Sequence, residues 1–354
     1  TTTITGSSIN VTSLTSSTMN VSSLVVNGST VASTGVGMKN RIINGDMRVD
    51  QRRSGNAYTA NNNLNNGGVS AYVADRFKGP QGLDGFSVSP TLSVQRVTGP
   101  NDLGFSHEIK VTVTGAGTLG ANTDSYIFGQ HIEAMNLTDL AFGTASAQPS
   151  TLSFYVRTSL AGQYSMFIYN PTSGKMFLPT FTVDNANVWQ RISIVIPGDT
   201  SGAMSAAVGD EGFRVEWRPA GAGINTGAAT SGWVTIDNRR CVTGNANLFG
   251  TLNATFELTG VQLEKGSVAT PFEFRPYGLE FQLCERTYQQ LPHLSAATNS
   301  TTQVNAWGRF GTPMRAAPVI YQNGPLNYQG DGTNNQTQSS TGLGSQYTTT
   351  HSIY

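Results

Sequence analysis

TLSFYVR at residues 151–157 and GFRVEWR at residues 212–218 share one pattern, and that pattern decides the fold. In the first, Leu152, Phe154 and Val156 alternate with Ser153, Tyr155 and Arg157; in the second, Phe213, Val215 and Trp217 alternate with Arg214, Glu216 and Arg218. Successive side chains of an extended strand point to opposite faces, so each stretch reads as a half-buried strand with an apolar inner face and a polar outer one. Trp217 shares the inner face and belongs in the core. Further strand candidates are 106–114, 164–169, 176–183, 188–196 and 254–263, with Gly, Asn, Pro and Asp clustered between them. No stretch there shows sustained helical periodicity. Many short strands separated by turn signals predict an all-β domain, an antiparallel β-sandwich of the jelly-roll kind.

Outward from these strands, the chain divides into four segments. Residues 1–38 contain no Asp, Glu, Lys or Arg, and Ile9-Asn10-Val11-Thr12-Ser13-Leu14 returns ten positions later as Met19-Asn20-Val21-Ser22-Ser23-Leu24. A ten-residue period fits one short strand plus one turn, and so short a repeat buries its apolar face only against neighbours. We read 1–38 as a β-repeat fibre shaft completed by other copies of the chain; the alternative is a Ser/Thr-rich linker. Charges begin at Lys39, and 39–276 forms the jelly-roll head. Residues 277–292, carrying YGLEFQLCERTYQQL between Pro276 and Pro292, read as a helix with Leu279/Leu283 and Cys284/Tyr288 at four-residue spacing. Residues 293–354 are either a small, perhaps incomplete, C-terminal β region with a strand at 318–322 or a polar tail.

Composition excludes several classes. Only 12% of the 354 residues are charged, and Lys plus Arg equals Asp plus Glu at 21 each, so no net field draws nucleic acid or an anionic membrane. No apolar stretch reaches the roughly 20 residues that a spanning helix needs. The 16 Phe, 12 Tyr and 4 Trp are enough to build a core, which argues against disorder. Cys241 and Cys284 are too few for a disulfide scaffold; they either pair or, as we read them, remain two buried thiols. The chain begins at Thr1 with no cationic-then-apolar leader, so a signal peptide is either absent or already removed.

Catalytic signatures are sparse, and no enzyme is expected. Neither a Gly-x-Ser-x-Gly elbow nor a His-Glu-x-x-His motif occurs, and His107, His131, His293 and His351 are scattered. Gly115-Ala116-Gly117-Thr118-Leu119-Gly120 has the form of a dinucleotide loop, but turn and strand follow it where that chemistry needs a helix, so it reads as a loop. The acid pairs Asp46/Asp50 and Asp210/Glu211 read as turn acids, and the arginines of MKNRIINGDMRVDQRRSG find partners in Asp46 and Asp50. The outward residues of the two opening strands are more informative. Aromatic rings stack on the C–H faces of sugars and planar polar groups hydrogen-bond to hydroxyls, so Tyr155, Arg157, Arg214 and Glu216, with Trp233 in a loop, are candidate glycan-binding residues. The plain alternative is that they face solvent or a neighbouring subunit. Seven Asn-x-Ser/Thr triplets arise from composition.

Five stretches carry a resemblance in combination: NRIINGDMRVDQR (40–52), YVADRF (72–77), TLSFYVRT (151–158), IPGDTSG (196–202) and TGVQLEKGSVATPFEFRPYGLEFQLCERTYQQ (259–290). Over roughly residues 39 to 290 the chain resembles a family of phage and prophage virion proteins, tail fibres and other surface components whose jelly-roll heads are similar to carbohydrate-binding modules. The resemblance implies a virion-surface location, a host-surface glycan and other virion proteins as partners, and self-association as a homotrimer, with a dimer or a single copy as alternatives. It also implies a structural calcium with Glu264 as one ligand, unless that acid is an ordinary surface residue; no other cofactor is expected. Alternative roles are a capsid or tail connector that binds protein, and a polysaccharide depolymerase.

Removing residues 1–38 is expected to leave a folded head that has lost its oligomeric state. Light scattering of the truncated chain checks this, and a truncated head that remained trimeric would refute the shaft assignment.

Overall fold

A computed structural model of the chain describes residues 24–26, 29–31, 38–61, 72–290, 295–300, 303–307, 310–318, 326–329 and 335–338. The chain divides into two units, Thr1–Met38 and Lys39–Tyr354. In the first, Leu24–Val26 and Ser29–Val31 pair as an antiparallel hairpin; the repeats ahead of Leu24 lie outside the described residues. In the second, Ser295–Ser300 pairs with Gln303–Trp307 and Leu326–Gln329 with Asn335–Gln338. Most of the strand expected at 318–322 lies outside the described residues. No described helix is long and apolar enough to cross a membrane.

Between these ends stands the β-sandwich that the alternating strands predict. A six-stranded sheet runs in the order Gln190–Ile196, Ser150–Thr158, Thr255–Lys265, His107–Gly115, Thr91–Thr98 and Tyr58–Ala60. An eight-stranded sheet runs Val234–Thr235, Lys175–Phe177, Gly162–Asn170, Glu211–Arg218, Phe128–Glu133, Phe77–Lys78 and Tyr72–Ala74, with Thr180–Val183 also pairing along Gly162–Asn170. The chain passes back and forth between the sheets, as a jelly roll requires. Leu152, Phe154 and Val156 of one sheet and Phe213, Val215 and Trp217 of the other are all fully buried in a single core. Across the sandwich the Phe154 and Trp217 rings meet edge to face at 5.4 Å.

Two expected elements differ. The strand predicted at 176–183 divides into Lys175–Phe177 and Thr180–Val183. Pro179 stands in the break, where it has no N–H for a ladder but its carbonyl accepts from the Met166 N–H at 2.9 Å. The helix is also shorter, Tyr277–Glu285, and does not bury the leucine stripe: Leu279 is 47% exposed, whereas Glu280 and Cys284 are buried. Polar contacts account for that face. Arg275 Nη1 lies 3.0 Å from Glu280 Oε2, both side chains being almost wholly buried, and Glu280 Oε1 accepts the Asn44 N–H. Arg275 also donates to the carbonyls of Asn40 and Ile42.

The opposite side of this clamp is the segment after Lys39. The Asn40 side chain accepts from the N–H groups of Ile42 and Leu263 and donates to the Val261 carbonyl, imitating a strand beside Thr255–Lys265. Asn44, at φ 60°, donates to the carbonyls of Val49 and Asp75 and accepts from Val49 N–H. Gly45 follows it where a Cβ would collide with the Val261 carbonyl. Asp75 and Gln51 hold the helix's exit through Arg52, whose guanidinium lies 3.7 Å from the Tyr288 ring and 4.3 Å from that of Tyr72. The separate motifs of the sequence are therefore one contact surface.

Replacing Glu280 with Ala leaves the buried Arg275 with only the partly exposed Glu273, at 3.4 Å, as its counter-charge and removes the acceptor of the Asn44 N–H, and is expected to cost about 3–5 kcal/mol, while the double replacement of Arg275 and Glu280 by Met and Leu costs much less. Chemical denaturation of the three chains checks this; equal losses would show that the pair itself is not the clamp.

Candidate functional site

The strand Glu211–Arg218 sends Arg214, Glu216 and Arg218 to the outer face of the eight-stranded sheet. Register places Phe167 and Tyr169 beside Glu216 and Arg214 on one side, and Gly129 and His131 beside them on the other. The result is an open cleft of about 530 Å³ whose floor and walls include Tyr126, Phe167, Tyr169, Arg214, Glu216 and Arg240. The Phe167 and Tyr169 rings stack at 5.9 Å and 20°. Arg218 lies 5.1 Å from the Phe167 ring and 5.4 Å from that of Tyr126, and pairs with both Glu216 and Asp124. These ion pairs and cation–π contacts hold planar groups rigid against ring faces, the preorganisation that recognition of a hydroxylated ligand needs.

At one end of the cleft, Arg214 grips Glu211 with two hydrogen bonds at 3.0 and 3.2 Å, and His131 Nδ1 lies 3.3 Å from the same carboxylate. Burial alone would raise the Glu211 carboxyl, but hydrogen bonds from His131 and Arg214 outweigh it and hold it at about 2. Burial lowers the His131 imidazole despite Glu211.

Of the five candidates read from the sequence, only Arg214 and Glu216 meet. Tyr155 and Arg157 lie on the outer face of the other sheet, where both are engaged. Tyr155 packs 5.3 Å from Phe105, which also meets Phe272 and Phe274 over Gly260. Gly260 is at φ 60°, at a register shift between the strands, and an added Cβ would lie 2.6 Å from the Phe105 ring. Arg157 pairs with Glu257 and with Glu108 at 3.6 Å, and Lys110 completes the ladder at 2.8 Å from Glu257. Trp233 is no loop platform: its ring lies 5.4 Å from Phe213 and 5.6 Å from Phe142, and its N–H donates to the Pro197 carbonyl at 2.7 Å.

Glu264 is buried, with its carboxylate taken up by the Gln262 amide and by the N–H and hydroxyl of Thr270. No cluster of three or more His, Cys, Asp or Glu side chains suited to a metal occurs among the described residues. Cys241 and Cys284 are free and buried. Asp50 caps a turn through the N–H groups of Arg53 and Gly55, Asp46 pairs with Arg48, and Asp210 accepts from Ser205. Residues 115–120 lead to the short strands Thr118–Leu119 and Asp124–Ser125.

Tyr126, Phe167 and Tyr169 were not singled out in the sequence. YSMFIY carries large apolar side chains at both parities, inward at Tyr164, Met166 and Ile168 and outward at Phe167 and Tyr169. A strand apolar on both faces is the signal that finds them.

No family model matches the chain, and no curated protein matches it. Among solved structures, it is similar to a putative sugar binding protein from Bacteroides thetaiotaomicron (13% identity, 64% of this chain and 100% of that one, TM-score 0.32). A family 11 carbohydrate-binding module of a cellulosomal cellulase of Clostridium thermocellum matches at 16% identity over 62% of this chain and 94% of that one, TM-score 0.26. The enzymatically active domain of tailspike protein 4 of bacteriophage CBA120 matches at 11% identity over 54% of this chain but 19% of that one, TM-score 0.30. At such scores these likenesses assign neither a ligand nor a site.

The titrations on the two outer faces run in opposite directions. Burial, reinforced by the Glu257 carboxylate, lifts Glu108 to about 7 from an ordinary 4.5. A raised acid gives its stability below the unfolded value and loses it as pH rises through the folded one, so the Glu108 contribution disappears between about 4.5 and 7. Glu211, held down at about 2, contributes above 4.5 and loses that contribution as pH falls toward 2. Denaturation midpoints across pH are expected to show the upper slope vanish in Glu108→Gln and the lower one in Glu211→Gln; unchanged slopes would contradict both assignments.

Proposed function

We propose that the protein is a non-catalytic fibre component of a virion surface, a homotrimer joined through residues 1–38, whose jelly-roll head binds a host-surface glycan in the cleft of the eight-stranded sheet. The observation that carries the binding reading is the cleft itself. An open groove joins Tyr169 at its edge to a fixed set of planar polar groups, Arg214, Glu216 and Arg218, on a rigid strand. On the other outer face the charges are taken up in the Lys110–Glu257–Arg157–Glu108 ladder and the Tyr155 ring in the cluster around Phe105. The virion and fibre part rests on the motif resemblance and on the uncharged repeats, whose burial between chains leaves no place for unpaired charge. The non-catalytic reading is supported by the engagement of Asp46, Asp50, Asp210 and Glu211 in structural contacts.

A glycan array with the full chain, each hit followed over time for shortened product, tests the whole reading. Binding without cleavage is expected. Tyr169→Ala should weaken that binding by roughly tenfold, about 1.4 kcal/mol, with the fold intact, while Tyr155→Ala leaves it unchanged. Wild-type affinity in Tyr169→Ala would move the site elsewhere; cleavage would make the chain a depolymerase, and no binding to any glycan would favour a connector that binds other virion proteins.

A further inference from the structure

The cleft does not end at His131. Beyond it, still lined by Lys78 and His131, lies a second pocket of about 150 Å³, roughly five waters' share of volume, walled also by Arg76, Glu133, Glu211 and Arg315. Three cations face it, and none has a carboxylate partner among the described residues. Lys78 forms neither hydrogen bond nor ion pair there. Arg315 spends one nitrogen on the Gly209 carbonyl. Arg76 is only 7% exposed and donates to the His131 carbonyl at 2.6 Å, but its Nε is buried with no partner.

The acids of the pocket do not match these cations. Glu133 is paired at 2.7 Å with Arg286, and Glu211 with Arg214, both arginines approaching from outside the pocket. Asp210 is therefore left against Arg76, Lys78 and Arg315, and the pocket keeps a surplus of positive charge. Arg76 also adopts the left-handed backbone at φ 71°, where a residue without a Cβ would be unstrained. Arg41, Arg48, Arg52, Arg218 and Arg275 also keep a buried Nε without a hydrogen-bond partner, so it is the left-handed backbone and the place in the pocket wall that set Arg76 apart.

We propose that this pocket takes the carboxylate of an acidic sugar residue, with Arg76 and Lys78 as its donors, so that the cleft reads a charged rather than a neutral glycan. The proposal rests on the glycan reading of the cleft for the rest of the chain of sugars, but the pocket itself can be probed alone. With one Arg76 terminal nitrogen on the His131 carbonyl and its Nε buried from solvent, the other terminal nitrogen is the donor left to a carboxylate, and the Lys78 ammonium beside it adds a point charge. The position at the end of the groove lets one residue of a chain place its carboxylate here while its neighbours lie along Tyr169 and Arg214.

Sodium glucuronate, with glucose as the uncharged control, is titrated into the full chain carrying 15N-arginine. The Arg76 Nε–H signal is assigned by its loss in Arg76→Lys. Glucuronate is expected to shift that signal saturably and glucose not at all, and Lys78→Gln, a half-exposed position whose replacement leaves the core alone, should weaken the response by roughly tenfold, as for one lost charge-assisted hydrogen bond. An unmoved Arg76 signal, or an equal response to glucose, overturns the proposal. Oligogalacturonate and its methyl ester, compared by calorimetry, separate this from the cleft reading. Tighter binding of the acid supports the pocket, equal binding of both refutes it while leaving a glycan cleft, and binding of neither alongside a glucuronate shift at Arg76 refutes the cleft while keeping the anion pocket.

Discussion

The head depends on one buried ion pair. Arg275 and Glu280 are taken out of water together, and beyond each other their hydrogen-bond partners are backbone groups of the segment from Asn40 to Asn44, which is itself bonded to the central strand Thr255–Lys265. Burying two charges is costly unless geometry and additional hydrogen bonds compensate, so the pair admits little variation in what surrounds it. That requirement explains why Asn, rather than any apolar residue, occupies 40 and 44: only a short amide donates and accepts at once beside an unpaired backbone. It also explains a helix whose buried positions are Glu280 and Cys284 while Leu279 is left outside.

With the clamp in place, the two sheets have different outer surfaces for one reason. On the six-stranded sheet, opposite charges face each other across neighbouring strands at Lys110, Glu257 and Arg157, and they neutralise one another. On the eight-stranded sheet, Arg214 and Glu216 stand opposite Tyr169 and Phe167, and their ion pairs run along their own strand, to Glu211 and to Arg218. The second arrangement sets rings beside the charges of the cleft, and the first sets charge against charge across the strands.

The strands themselves were legible because one parity of 151–157 and of 212–218 is wholly apolar. The cleft was legible only in half. Arg214 and Glu216 stand out as polar residues on a strand, but Phe167 and Tyr169 lie in a stretch apolar at both parities, where alternation cannot separate core from surface. Tyr155, Arg157 and Trp233 lie outside the cleft, and their surroundings were not legible for a complementary reason: local sequence does not tell whether a distant segment, here 270–275 or Phe142, packs against a side chain. The Arg275–Glu280 pair was visible only as motifs whose meeting no local pattern announces.

The first residues of the head also determine how it carries load. Lys39 is tied to Thr270 and to the Pro271 carbonyl, Asn40 and Arg41 to Leu263, and the Gly45 carbonyl to the Val261 N–H. A pull applied ahead of Lys39 therefore meets hydrogen bonds to an interior strand of the six-stranded sheet rather than to an edge. Force entering through Lys39 would thus reach the middle of that sheet before the margin strands Tyr58–Ala60 and Gln190–Ile196.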